Sequence, residues 1–161
     1  MEKTLIIGYG NPDRQDDGAA WHILNELATS FGRKLPHSYE EEFISSGESP
    51  ELLFMLQLTP ELAEALELYD RVCFVDVHTS SIPKKLQQKT IHPVMTLSPL
   101  THHMTPETLL ALTFQMYNRV PDAILISIRG YEFGFEQLLS EPTRQLVKDA
   151  VDRILTWLHQ E

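Results

Sequence analysis

The stretch Thr4-Leu5-Ile6-Ile7-Gly8-Tyr9-Gly10-Asn11-Pro12-Asp13-Arg14-Gln15-Asp16-Asp17-Gly18 decides how the chain is read. Thr4 to Ile7 is a short apolar run ending at Gly8, which predicts a buried strand feeding a tight turn. Gly8 to Gly18 has the composition of a loop. Ala20, Ile23, Leu24, Leu27 and Phe31 then recur at helical spacing, predicting a helix from about Gly18 to Phe31 with Gly32 as its stop. A strand, a loop and a helix in that order form the first unit of an α/β fold.

The pattern repeats outward. Arg71-Val72-Cys73-Phe74-Val75-Asp76-Val77 reads as an interior strand that ends in an acid. Ala123 to Ile128 reads as another buried strand, and Thr90 to Val94 as a weaker one. Leu52 to Leu56 fits strand or helix. Thr59-Pro60-Glu61 and Thr105-Pro106-Glu107 each combine a capping residue with proline at the first helical position. They predict helices from Pro60 to Leu68 and from Thr105 to about Tyr117. Ser140-Glu141-Pro142 opens a terminal helix whose apolar positions run from Leu146 to Leu158. Leu35 to Pro50 has no clear period, and Glu40-Glu41-Glu42 reads as a solvated run. Strands alternating with helices predict a mostly parallel sheet with helices on both faces.

The chain has 161 residues, enough for one domain spanning 1–161. Its formal charge is −10, which opposes a nucleic-acid partner, since such partners need a basic face. No apolar run approaches the ~20 residues needed to span a bilayer. The N-terminal apolar stretch is too short for a secretory signal. The expectation is a soluble, acidic, cytoplasmic protein. Cys73 is the single cysteine, so no disulfide forms within the chain and no cysteine-based metal cluster is available. Its place inside a predicted strand makes it a buried, inert thiol.

Parallel sheets place their chemistry at the carboxyl ends of their strands. Three places put polar groups just beyond a predicted strand or at a helix start: Asp16 and Asp17 after the first strand, Asp76 at the end of the Val72–Val75 strand, and Thr101-His102-His103 before a helix. Each has an ordinary structural explanation, such as a helix cap or a turn residue. Together, carboxylate and imidazole donors at neighbouring loops suit a borderline divalent metal such as nickel or zinc. Gly8-x-Gly10 begins a dinucleotide fingerprint, but Asp13 stands where its third glycine is needed. No Gly-x-Ser-x-Gly elbow is present.

Five blocks in order carry a resemblance. They are Ile7-Gly8-Tyr9-Gly10-Asn11-Pro12 with Asp16-Asp17-Gly18, then Gln57-Leu58-Thr59-Pro60-Glu61-Leu62-Ala63, then Phe74-Val75-Asp76. Thr101-His102-His103-Met104-Thr105-Pro106-Glu107 follows, and last Gly130-Tyr131-Glu132-Phe133-Gly134 with Leu139-Ser140. Over nearly its whole length the chain resembles the nickel–iron hydrogenase maturation endopeptidases. These cut a C-terminal extension from the hydrogenase large subunit after nickel insertion. The resemblance implies a single twisted sheet with helices on both sides, of the phosphorylase/hydrolase-like kind. It implies metal ligands at Asp17, Asp76 and His102, with His103 as the fallback if the register slips by one. Nickel would come with the substrate, the large-subunit precursor, and would report that maturation is complete. Catalysis would involve Asp17 or Asp76 as a general base, or water activated by the metal. Asp16 would orient the loop. The family often has Gly-Val-Gly where this chain has Gly18-Ala19-Ala20, and the extra methyl of Ala20 tests the packing at the helix start. A maturation factor that binds nickel or the large subunit without cutting would use the same residues. The first strand and turn also resemble peptidyl-tRNA hydrolases, but Asp13 and Asp16-Asp17 depart from that pattern.

Overall fold

A computed structural model describes residues 1–35, 46–95 and 104–160. His102, His103 and the Glu40–Glu42 run lie outside the described residues. The first strand, β1, spans Thr4–Tyr9, and a short 3-10 turn at Gln15–Gly18 leads into helix α1, Ala19–Ser30. Strand β2 (Glu51–Met55), helix α2 (Leu62–Leu66), strand β3 (Arg71–His78) and strand β4 (Leu86–Ile91) follow. Helix α3 (Pro106–Tyr117), strand β5 (Asp122–Arg129) and helix α4 (Glu141–Leu158) complete the order.

The five strands form one sheet in the order β2-β1-β3-β5-β4. The pairs β1–β2, β1–β3 and β3–β5 are parallel, and β4 runs antiparallel on the edge. This is the expected mostly parallel α/β sheet. Leu5, Ile6 and Ile7 are all fully buried, because both faces are covered. On one face Ile6, Cys73, Val75, Ile126 and Ile128 pack against α1 and α4 through Ile23, Leu24, Leu27, Val147 and Ile154. On the other, Leu5, Ile7, Val72, Phe74 and Ala123 pack against α2 and α3 through Leu62, Leu66, Leu109 and Leu110. Each fully buried aliphatic or aromatic side chain contributes roughly 1.5–3 kcal/mol.

Several elements match their sequence signals. The Thr105 side chain accepts from the Thr108 amide at 3.2 Å, capping α3. Gly32 ends α1 with φ +69°, and the Arg33 amide donates back to the Ala28 carbonyl. Leu52 belongs to a strand. Cys73 is fully buried, as expected, and burial pushes its thiol pKa up.

Two elements differ. The helix expected over Pro60–Leu68 is only Leu62–Leu66, and Thr59 does not cap it. The Leu62 and Ala63 amides bond the Thr59 and Pro60 carbonyls in an i to i+3 turn, and the Tyr69 amide bonds Leu66 in the same tight manner. The tightening ends the helix and leaves Leu68 exposed while Tyr69 turns inward to the buried Glu51. The strand expected at Thr90–Val94 lies earlier, at Leu86–Ile91. Its middle, Gln87-Gln88-Lys89, is polar because it forms a sheet edge, so composition hides it.

The Ala20 methyl is accommodated. Ala20 is fully buried, and strand β1 approaches α1 through Gly8. A Cβ at Gly8 would lie 2.8 Å from Leu24 Cδ1 and 3.3 Å from the Ala20 Cβ. The close approach of β1 to α1 is supplied by Gly8 beside the small Ala20. Gly8→Ala is expected to destabilise the chain by about 1–3 kcal/mol through overpacking, measured by urea unfolding. Ala20→Gly in the same background should recover part of that loss.

Candidate functional site

The sheet reverses its winding between β1 and β3. The β1–α1 connection leads to one side of β1, and α2 brings the chain back to β3 on the other. Such a switch point leaves a crevice at the carboxyl ends of the two strands. The β1–β3 pairing stops at Gly8 and Val75, while β3 continues beside β5 as far as His78. Asp76 is therefore the first β3 residue past the shared ladder, two residues before the strand ends. Side chains alternate along a strand, so Asp76 shares a face with Phe74 and with the α2–α3 layer.

Tyr9 ends β1 on that same face, and its phenol lies near enough to interact with the Asp76 carboxylate. Asp76 Oδ1 also accepts its neighbour Val77's amide at 2.7 Å. The Asp76 pKa is raised to about 6, first by burial and lastly by the nearby Asp17 charge, against the lowering effect of the Val77 amide and the Tyr9 phenol. Burial and then the Asp76 charge push the Tyr9 pKa far up, so the phenol is a lasting donor. Tyr9 carried no chemical signal in the sequence, where it read only as the end of a strand.

Asp17 reaches this crevice from the first loop. Its Oδ2 accepts the Asn11 amide at 2.8 Å. Gly10 makes that approach possible: its φ is +139°, and a Cβ there would sit 2.0 Å from the Asp17 carbonyl oxygen. The Gly10 amide bonds the Met55 carbonyl at the end of β2. The loop is thus tied to both neighbours of the crevice. Asp17 and Asp76 come close enough for their charges to interact. Among the described residues no group of three or more His, Cys, Asp or Glu could hold a metal ion. The third expected ligand, His102, and its fallback His103 precede the described Thr105 cap of α3. Asp76, raised by burial and by the Asp17 charge, is a carboxylate that a nearby cation would stabilise.

Asp16 does something different from its neighbour. It is fully buried and points away from Asp17's partners. Its carboxylate accepts the amides of Tyr131, Glu132 and Ser140 at 2.8–2.9 Å, the Ser140 hydroxyl at 2.6 Å and the Thr143 hydroxyl at 2.9 Å. Burial acts to raise its pKa, but the Ser140 hydroxyl and the three backbone donors outweigh burial and hold it below the usual carboxylate value. The Ser140 hydroxyl is engaged here, which explains why it does not cap α4 in the usual way. Gln15 and Arg14 add bonds to Gly134, Glu136 and Phe133.

Further along the same face lies a row of polar side chains. Asp76, Ser127 and Gln87 are aligned across β3, β5 and β4, and His78 is aligned with Arg129. The buried His78 donates from Nε2 to the Lys84 carbonyl at 2.6 Å, leaving Nδ1 to accept from the Ser127 hydroxyl at 2.7 Å.

Two stability predictions follow from the acids. Asp16→Asn turns an acceptor of five hydrogen bonds into a group that presents donors to donors, and should cost on the order of 3 kcal/mol in urea unfolding. Because the Asp16 pKa is lowered, its contribution is full at neutral pH and lost as pH falls below the ordinary carboxylate value of 3.8. Asp76 has the opposite sign. Its raised pKa favours the folded state at acid pH, and that contribution disappears as pH rises through about 6. Asp76→Asn should therefore raise the melting temperature at pH 8, with the gain shrinking toward zero at pH 4.

No model of a known protein family matches the chain, and no curated protein matches it. Solved structures do. HybD, the hydrogenase maturating endopeptidase from E. coli, superposes with a TM-score of 0.68 at 14% identity, covering 98% of this chain and 92% of that one. The NiFe hydrogenase maturation protease HybD from Thermococcus kodakarensis superposes with a TM-score of 0.65 at 16% identity, over 98% of this chain and 99% of that one. A hydrogenase 2 maturation peptidase from a Thaumarchaeota archaeon gives 0.61 at 19% identity, over 99% and 100%. Over nearly its whole length, the chain has the α/β fold of solved NiFe hydrogenase maturation proteases.

Proposed function

We propose that the chain is an endopeptidase that removes the C-terminal extension of a nickel–iron hydrogenase large-subunit precursor after nickel insertion. The observation that carries the reading is the pairing of Asp17 and Asp76 at the β1–β3 switch point of this fold. The five sequence blocks, in order, supply the family context for that pair.

In this reading Asp17, Asp76 and His102 bind the nickel that the precursor brings with it. Two carboxylates and an imidazole leave coordination positions for substrate groups or water. A precursor lacking nickel offers no anchor and is left uncut. Asp17 or Asp76 takes a proton from water as general base, or the cation activates the water. Tyr9 holds the Asp76 carboxylate from one side and the Val77 amide from the other. The bound cation then fixes the substrate against the acid pair. No described helix is long and apolar enough to cross a membrane, and we assign the activity to the cytoplasm, where the precursor is assembled in this reading.

The test is incubation of the purified protein with nickel-loaded large-subunit precursor, read as a shift in gel mobility. Wild-type protein should shorten the precursor, and nickel-free precursor should stay intact. Asp17→Asn, Asp76→Asn and His102→Ala should each abolish processing while melting cooperatively. Full cleavage by His102→Ala, with His103→Ala inactive, would move the third ligand by one residue. A stable complex that is never cut would replace the protease reading with that of a binding factor.

A further inference from the structure

The segment from Gly130 to Leu139 contains no helix or strand, yet it is pinned along its length. The Gly130 amide bonds the His78 carbonyl where β3 ends. Asp16 accepts the Tyr131 and Glu132 amides, Arg14 donates from Nε and Nη2 to the Phe133 carbonyl, and Gln15 accepts the Gly134 amide. The Gln15 amide donates to the Glu136 carbonyl, and the Gln137 side chain donates to Asp13 at 2.9 Å. These anchors are the residues that run directly into Asp17.

Two large apolar side chains of the pinned segment are left outside. Phe135 is 86% exposed and Leu138 is 68% exposed. A single exposed apolar residue is ordinary on a protein surface. These two differ because their backbone is fixed. The Arg14 guanidinium, held by its two bonds to Phe133, lies 4.6 Å from the centre of the Phe135 ring. It steadies the ring from one face and leaves the other to solvent. A fixed, exposed aromatic loses little conformational freedom on binding, and aromatic anchors dominate the affinity of protein interfaces.

Position and charge indicate what covers this pair. The Asp17 amide bonds the Arg14 carbonyl at 3.2 Å, so the residue stacked on Phe135 is one turn from the crevice acid. Asp13, Glu132, Glu136 and Glu141 of the same segments are exposed, and Glu132 and Glu136 join none of the ion pairs among the described residues. These acids outnumber the cations Arg14 and Arg144 there, and Arg144 already pairs with Glu141 at 3.8 Å. An apolar pair with an acidic surround fits a partner whose own apolar patch is rimmed by lysine or arginine.

We propose that Phe135 and Leu138 form a docking surface for the folded body of the large-subunit precursor, seating an apolar patch with a basic rim. This rests on the protease reading for its partner and adds an interaction surface outside the crevice. Holding the body there raises the effective concentration of the C-terminal extension at Asp17 and Asp76.

The experiment is steady-state cleavage of nickel-loaded precursor by wild type, Phe135→Ser, Leu138→Ser, the double variant and a Glu132→Lys, Glu136→Lys variant. Gel-shift affinity at two salt concentrations, melting temperature and sedimentation velocity are measured for each. Phe135→Ser should raise KM and weaken the gel-shift affinity about tenfold, with kcat within about twofold of wild type. Leu138→Ser should act in the same direction by a smaller factor. The lysine variant should weaken binding and reduce its dependence on salt. Melting temperatures should stay within about 2 °C of wild type, since both apolar side chains are exposed. An unchanged KM and affinity in the double variant overturns the docking surface and leaves the protease reading standing. A wild-type dimer that the double variant dissolves would assign the surface to a second copy of the chain and overturns the proposal as well. Binding of precursor without cleavage, weakened about tenfold by Phe135→Ser, retains the surface and removes the protease reading. Neither binding nor cleavage by wild type removes both.

Discussion

One carboxylate, Asp16, holds the two halves of the chain's carboxyl-end rim together. Its donors, at Tyr131, Glu132, Ser140 and Thr143, lie more than a hundred residues away in sequence, so no local structure could satisfy it. A buried anion is costly unless it is fully bonded. Here two backbone amides from the segment after β5, together with the amide and hydroxyl of Ser140 and the Thr143 hydroxyl, offset that cost. The same bonds position the start of α4 and lock the 3-10 turn at Gln15–Gly18. Asp17, next in sequence, inherits its place from that lock. The acid that faces the crevice is held by one that does not.

The crevice shows the opposite balance. Asp76 is placed by its register on β3, past the last residue that β1 covers. There it is partly buried and faces another acid, with only Tyr9 and the Val77 amide to relieve it. The sheet tolerates this because the rest of it is well packed on both faces. A carboxyl raised by burial beside a second acid is the kind of group that functional sites collect.

Much of this was legible residue by residue. The apolar run Thr4–Ile7, the β-branched run before Asp76 and the Thr105-Pro106 cap all report on local interactions, and each element lies where its signal falls. Thr59-Pro60 carries the same letters as Thr105-Pro106 and does not cap a helix, because Tyr69 is pulled inward and the segment tightens into turns. β4 escaped because an edge strand need not be apolar on both faces, and Gln87-Gln88-Lys89 looks like a loop. Tyr9 escaped for a different reason: its role depends on a partner, Asp76, sixty-seven residues later in the chain.

Local pattern was enough for the class of fold and for the alternation of strands and helices. These follow from hydrophobic period and turn residues, which act over a few positions. Long-range packing sets which of two adjacent aspartates is a structural anchor and which faces the crevice. That outcome depends on strand order and register, which bring distant residues to one face and which no local pattern encodes.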